Sequence, residues 1–223
     1  MCSRFESVND KAVLHRTFMV DVPEQPVASE VWPGYDGWLI RRHPHADVGD
    51  DAVPAREAVA GRFGLLPAWS RDPKISRHTY NARSETVASK PSFRDAWQRG
   101  QHCIVPMQAF YEPDWRSGRA VPTRIAASDG APLGVAGLWS RWAAPTGAEV
   151  FSFTLLTVNA DDHPLMRHLH KPQEEKRMIV VLPPDQYTAW LLAPPHDSLR
   201  FLTACPAERL TASAQAPAQG ALF

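Results

Sequence analysis

The run Phe151-Ser152-Phe153-Thr154-Leu155-Leu156-Thr157-Val158 constrains the architecture more than any other stretch. It is aromatic, β-branched and apolar, and it is short, so it reads as a buried strand. Other short strand-like runs surround it: residues 38–42, residues 103–106 ending at a proline, residues 110–112, and the buried run 178–182. Residues 121–127 and 133–139 form another pair, with the turn Ser128-Asp129-Gly130 between them. Residues 56–66 fit a strand pair about Gly61 and Gly64, and residues 12–20 fit either a strand or a short helix. Helical signals are brief. Residues 91–97 fit a short helix with Ser92 as N-cap and Asp95 three residues on, and Pro183-Pro184-Asp185 opens a helix that runs to Leu192. Residues 160–169, rich in histidine, fit a short helix or turn; residues 21–36 and 43–54 are loops by their prolines, glycine and polar residues. No βαβ rhythm appears. The expectation is an α+β fold, a single domain over residues 1–210 built on a mostly antiparallel, barrel-like sheet, with a poorly ordered tail over residues 211–223.

Charge and cysteine usage narrow the class. Lys plus Arg equals Asp plus Glu, so the formal net charge is zero and composition alone gives no argument for nucleic acid. A local basic patch remains open, because Arg56, Arg62, Arg71, Arg77, Arg83, Arg94 and Arg99 cluster in one third of the chain. Cys2, Cys103 and Cys205 are widely spaced and contain no CxxC, which suits a reducing compartment. There is no N-terminal apolar core and no window of ~18 apolar residues, so neither a signal peptide nor a membrane span is expected. These features point to a cytoplasmic, soluble monomer with no membrane partner.

Four groups carry possible chemistry. Removal of Met1 would give Cys2 a free α-amine beside its thiol, a 1,2-aminothiol able to attack through nitrogen, sulfur or both. The run Asn81-Ala82-Arg83-Ser84-Glu85-Thr86 puts an amide and a guanidinium on one face if it begins extended, which suits an oxyanion or phosphate. Glu112, between Tyr111 and Pro113, is a carboxylate in an apolar segment and a candidate acid/base. Trp69 follows Pro67-Ala68 in a loop near Arg62 and Arg71, the arrangement that stacks bases while holding phosphates. His163, His168 and His170 are crowded, and His43 and His45 form HxH, but no ligand spacing is completed, so no metal and no cofactor are expected.

Taken in order, these residues resemble the SRAP family, the SOS response-associated peptidases or abasic-site processing proteins. The resemblance rests on Cys2-Ser3-Arg4-Phe5, Arg62-Phe63-Gly64-Leu65-Leu66-Pro67-Ala68-Trp69, the Asn81–Thr86 run, residues 103–106 leading to Phe110-Tyr111-Glu112, and Thr157 with a histidine ahead of Arg177-Met178. It implies a protein that binds single-stranded DNA, loses Met1 autocatalytically and captures the aldehyde of an abasic site as a thiazolidine on Cys2, with possible lyase activity. In that scheme Asn81 positions the Cys2 amine or the sugar, Glu112 shuttles protons, and His170 stabilises the opened sugar or a neighbouring phosphate. Arg4 and Arg83 hold phosphates and Trp69 stacks on a base; Arg62, Arg94 and Thr157 join the DNA-binding set.

The chain departs from the family pattern at Ser3, where glycine is usual, at Phe63, at Pro113, and in a long segment between His170 and Arg177, which makes His168 a rival for the histidine role. Two other readings compete: an N-terminal-nucleophile amidohydrolase using Cys2, and a non-catalytic single-stranded DNA-binding module.

Overall fold

The computed structural model describes residues 2–24, 27–144 and 146–215. Twelve strands form one sheet: β1 (Phe5–Ser7), β2 (Glu30–Val31), β3 (Asp36–Arg42), β4 (Arg56–Phe63), β5 (Asn81–Arg83), β6 (His102–Asp114), β7 (Val121–Ala127), β8 (Leu133–Ala143), β9 (Glu149–Asn159), β10 (Arg177–Ile179), β11 (Val181–Leu182) and β12 (Leu210–Ala214). Three short α-helices accompany them among the described residues: α1 (Lys11–Phe18), α2 (Arg94–Gln98) and α3 (Tyr187–Leu192). Pairing runs β6–β8–β9–β4–β3 and back to β6, which closes five strands into a ring. Closure removes the open edges that would otherwise invite pairing with other chains. The ladders are antiparallel except β4–β9 and β5–β9. The fold is therefore an α+β barrel, as the strand pattern implied.

Aromatic residues fill the ring. Phe63 stacks on Phe153 at 5.4 Å between centroids, and Phe5 meets Phe63 edge-on at 5.3 Å; all three are fully buried. Each such ring removes on the order of 2 kcal/mol worth of apolar surface from water. Phe5 thus ties the N-terminal strand β1 into the core, and β1 pairs with the second half of β6. This pairing carries Cys2 and Ser3 to the interior side of the sheet.

Of the two forms open to residues 12–20, the chain takes the short helix, α1, because Asp10 accepts from the Ala12 and Val13 amides as N-cap, and the helix stops at Met19 in the left-handed region. Several local details differ from the sequence-based expectation. Residues 56–63 form one strand rather than a pair around two glycines; the chain turns out of the sheet only at Gly64. Ser92 is not the cap of α2. Turns from Arg83 to Lys90 delay the helix to Arg94, buried Phe93 occupies the cap position, and no side chain caps it. Strand β6 does not end at Pro106. That residue lies between the register contacts to β3 at Ile104 and to β1 at Met107, so on that edge its missing N–H interrupts neither ladder. The run 178–182 splits at Val180, whose N–H goes to Leu156 and whose carbonyl takes the Ala136 N–H, so one segment serves both β9 and β8. The boundary placed at residue 210 also falls inside structure. Leu210–Ala214 pairs with β7 as β12, and the Gln215 N–H bonds the Pro122 carbonyl, so the backbone groups of this polar stretch are used in the ladder. The remainder of the expected tail, residues 216–223, and Met1 lie outside the described residues. Among the described residues, no helix is long and apolar enough to cross a membrane.

Gly64 has φ +113°, and a Cβ there would lie 2.1 Å from the Ser76 carbonyl oxygen. Both the conformation and the contact exclude a side chain. Gly64→Ala should lower stability by at least ~2 kcal/mol in urea denaturation, whereas Gly49→Ala, with open space around it, should lose less than half of that.

Candidate functional site

Cys2 is 1% exposed. Its thiol donates to the Arg4 carbonyl at 3.5 Å, and its own carbonyl accepts from Asn81 Nδ2 at 2.8 Å. Asn81 can reach it because β5 lies parallel on β9, with Asn81 opposite Leu155. Asn81 Oδ1 is buried and has no hydrogen-bond partner among the described residues. Burial pushes the Cys2 thiol far above its ordinary value, and the nearby Glu112 charge adds to the effect. Tyr80, immediately before Asn81, is raised by burial and by the charges of Glu112 and Cys2, so it borders the same group.

Glu112 and His170 meet inside the protein. Glu112 Oε2 is 3.2 Å from His170 Nδ1, with side-chain exposures of 2% and 6%. Burial raises the Glu112 carboxyl to about 7 and lowers the His170 imidazole to about 4. His170 Nε2 lies 3.0 Å from the Arg177 carbonyl, which only accepts, so Nε2 carries the proton. Neutral His170 therefore turns a bare Nδ1 toward Glu112, and the protonated carboxyl can donate to it. His170 itself sits at φ +67°, a conformation of real cost for a residue with a side chain. It is held there by its own N–H bond to the Pro113 carbonyl and by the Asp114–Leu169 bridge. Pro113, the departure from the pattern, thus serves through its carbonyl.

A cavity of about 230 Å³ opens on this pair, and Ser3, Tyr111, Trp115, Lys171 and Glu174 contribute to its walls. His168 is not at the site: it is half-buried, and Arg167 Nε lies 3.2 Å from its Nε2. The other histidines singled out by spacing have local roles. His163 accepts the Leu165 and Met166 amides and bonds the Cys205 carbonyl, while His43 accepts the His45 amide. Among the described residues, no three His, Cys, Asp or Glu side chains gather as metal ligands.

The arginines are unevenly placed. Arg4 is engaged by Glu30 at 2.6 Å and by Gln215 at 3.0 Å, and its guanidinium lies 4.0 Å from the Tyr111 ring centroid. Arg83 is half exposed and pairs with Glu175 at 2.9 Å. Arg62 lines a separate hollow with Tyr35 and Asp36. Arg94 is exposed beside Asp95. Trp69 is 53% exposed, with its indole N–H directed to the Pro91 carbonyl. Thr157 cannot be a surface contact for DNA. It is fully buried, its hydroxyl donates to the Ala82 carbonyl, and Arg177 Nη2 donates to it. Sequence reasoning had no role for Arg177, yet this buried guanidinium binds Glu85, Glu175 and the Thr157 carbonyl, fixing the strand whose carbonyl orients His170. A buried arginine inside the apolar run 177–182 was the available signal.

A closed barrel with a buried second-position cysteine, an amide on its carbonyl and a carboxyl–imidazole pair beside it defines a class of cysteine-centred site. The chain belongs to the SRAP family, SOS response associated peptidase, whose model matches residues 1–216. It is similar to the abasic site processing protein YoaM of Bacillus subtilis, 34% identical over 133 residues, which cover 58% of this chain and 54% of that protein. The abasic site processing protein HMCES of Gallus gallus is 28% identical over 156 residues, covering 60% of this chain and 46% of that protein. The chain thus spans about half the length of these relatives. A crystal structure of a Bordetella bronchiseptica protein superposes with a TM-score of 0.87 at 44% identity, covering 97% of this chain and 100% of that one.

Because folding raises the Glu112 carboxyl from 4.5 to about 7, the folded state holds this proton more tightly than the unfolded chain. The associated stability is complete below pH ~4.5 and lost as pH rises through 7. Glu112→Gln should therefore be more stable than wild type at pH 8, by on the order of 3 kcal/mol, and nearly indistinguishable from it near pH 4.5. Urea titrations at the two pH values check this; a pH-independent difference would contradict it.

Proposed function

We propose that this protein captures abasic sites in single-stranded DNA through Cys2, after removing its own Met1. The observation that carries the reading is the convergence of Asn81 and the buried Glu112–His170 pair on Cys2 beside an open cavity. The abasic site processing relatives support the substrate class. Removal of Met1 is peptide hydrolysis, for which Glu112, titrating near 7, is the candidate base.

The Cys2 α-amine adds to the C1′ aldehyde of the opened deoxyribose, and water leaves to give an imine. The Cys2 sulfur then adds to the imine carbon while the thiol proton passes to nitrogen, closing a thiazolidine. The raised thiol keeps sulfur protonated at neutral pH, which favours nitrogen as the first nucleophile. Glu112 gives a proton to the departing hydroxyl, recovers one from nitrogen as the imine forms, and relays the thiol proton to nitrogen as the ring closes. His170, neutral and fixed in orientation, presents Nδ1 as an acceptor, which suits a hydroxyl of the opened sugar or a proton taken during strand cleavage by β-elimination. The orphaned Asn81 Oδ1 suits an N–H or O–H of the reacting groups. Trp69 offers a base-stacking face, and Arg4, Arg62, Arg83 and Arg94 bear on phosphates.

Arg83 and Arg177 already face carboxylates, with Glu175 2.9 Å from the one and 2.7 Å from the other. A phosphate approaching Arg83 must compete with Glu175.

Two outcomes follow. Wild type incubated with single-stranded DNA carrying one abasic site gives a heat-stable shifted band on a denaturing gel, and Cys2→Ala gives none; a band of equal intensity with Cys2→Ala would sink the proposal. Glu175→Gln tightens single-stranded DNA binding about threefold at low salt, with the gain shrinking as salt rises; equal or weaker affinity of this variant would show that Glu175 does not compete with phosphate.

A further inference from the structure

A second cavity, of about 420 Å³, shares no lining residue with the one beside Glu112. It lies where the inward rows of three ring strands end. Leu39 is fully buried, and Arg41 follows it two residues later on the same face of β3. On β8 Trp139 is followed by Arg141, and Phe151 of β9 stands opposite Arg141. Rows that are apolar within the ring thus become aromatic and cationic at this end. Barrel mouths are a recurrent place for ligands, and the volume falls in the range of such sites.

The chemistry of the walls is specific. The Arg41 side chain is 12% exposed, held by Glu57 at 2.7 Å, and its guanidinium lies 4.3 Å from the Trp139 ring centroid and 4.6 Å from that of Phe151. Arg141 is exposed, its charge shared with Glu149 at 3.3 Å. Arg99 is exposed and has no ion pair among the described residues. Gln101 adds an amide. One carboxylate, Asp95, also lines the hollow and is paired with Arg94 at 3.4 Å; three guanidiniums and an indole against it suit a ligand that combines negative charge with a flat aromatic ring.

We infer that this cavity is a nucleotide pocket, taking a phosphate on Arg99 and Arg141 and a base on the wall formed by Trp139, and that its occupant is the flank of the strand whose abasic site lies at Cys2. The inference rests on the proposed binding of single-stranded DNA. Phe151 precedes Leu155, the register partner of Asn81, by four residues on β9, a separation of ~13 Å through the packed ring; a strand engaged at both ends runs outside the ring. Ala68 lies on the rim, and exposed Trp69 follows it, hydrogen-bonded to the carbonyl next to Ser92, another wall residue.

The test uses the whole protein, fluorescence anisotropy, and thymidine oligomers of five and fifteen nucleotides, each with a central unreactive abasic analogue. Wild type should bind the longer oligomer at least tenfold more tightly. The double variant Arg99→Glu with Arg141→Glu should lose at least tenfold on the fifteen-mer and reduce the salt slope by about 1.4, with five-mer affinity unchanged and with unchanged crosslinking yield on a five-mer that carries a reactive abasic site instead. Arg99→Lys with Arg141→Lys should retain most of the binding. A double variant with wild-type melting and wild-type affinity for the fifteen-mer overturns the inference. If thymidine monophosphate binds wild type and not the double variant while fifteen-mer affinity is unchanged, a free nucleotide is the ligand and the strand assignment is overturned. If neither oligomer binds wild type, the failure lies with the proposed function, and the strand assignment falls with it.

Discussion

Glu112 and His170 stand 3.2 Å apart with almost no access to water, and much of the molecule near them consists of what holds them there. An isolated ionised carboxylate in such a place would cost several kcal/mol. The pair avoids this by keeping one proton between two groups whose affinities burial has driven in opposite directions, up for the acid and down for the base. That arrangement depends on the imidazole presenting Nδ1, which depends on the Arg177 carbonyl taking the Nε2 proton. The strained backbone of His170 is tolerated because β6, through Pro113 and Asp114, holds both sides of it.

Arg177 extends this dependence across the sheet. Its side chain bonds Glu85 in the turn after β5 and the Thr157 carbonyl on β9, so the strand that orients His170 and the strand that carries Asn81 are joined through one guanidinium. A buried arginine with several acceptors is costly to break and fixes register better than apolar contact would. The segment between His170 and Arg177 contributes Glu175 to the same network, where it also neutralises Arg83. The Glu112–His170 pair and the Arg83 guanidinium are therefore linked mechanically and electrostatically.

The strands with apolar or alternating patterns were legible in the sequence, since side-chain burial and local chemistry agree there; β9 is the plainest case. What local reading missed had nonlocal causes. Strand β12, written in threonine, alanine and serine, exists because β7 offers it a ladder. Pro106 continues a strand because its neighbours change at that point. Ser92 loses the cap to the burial of Phe93. At the site, Cys2, Asn81, Glu112 and His170 were each visible as chemically able residues, and the fold brings them together. Thr157 entered the DNA-binding set through the family resemblance alone, and its face of β9 is interior. Spacing favours His170 over its rival His168, and what holds His170 against Glu112 is a nonlocal feature, the backbone bridge to β6.

The central claim is that Cys2 reacts through both its nitrogen and its sulfur. Peptide mass spectrometry of the protein after reaction with abasic DNA and nuclease digestion tests it directly. The account predicts an N-terminal peptide that lacks Met1, carries the sugar remnant on Cys2 with loss of one water, and resists both thiol alkylation and amine acylation. A remnant on a lysine, or a Cys2 adduct whose thiol still alkylates, would contradict it.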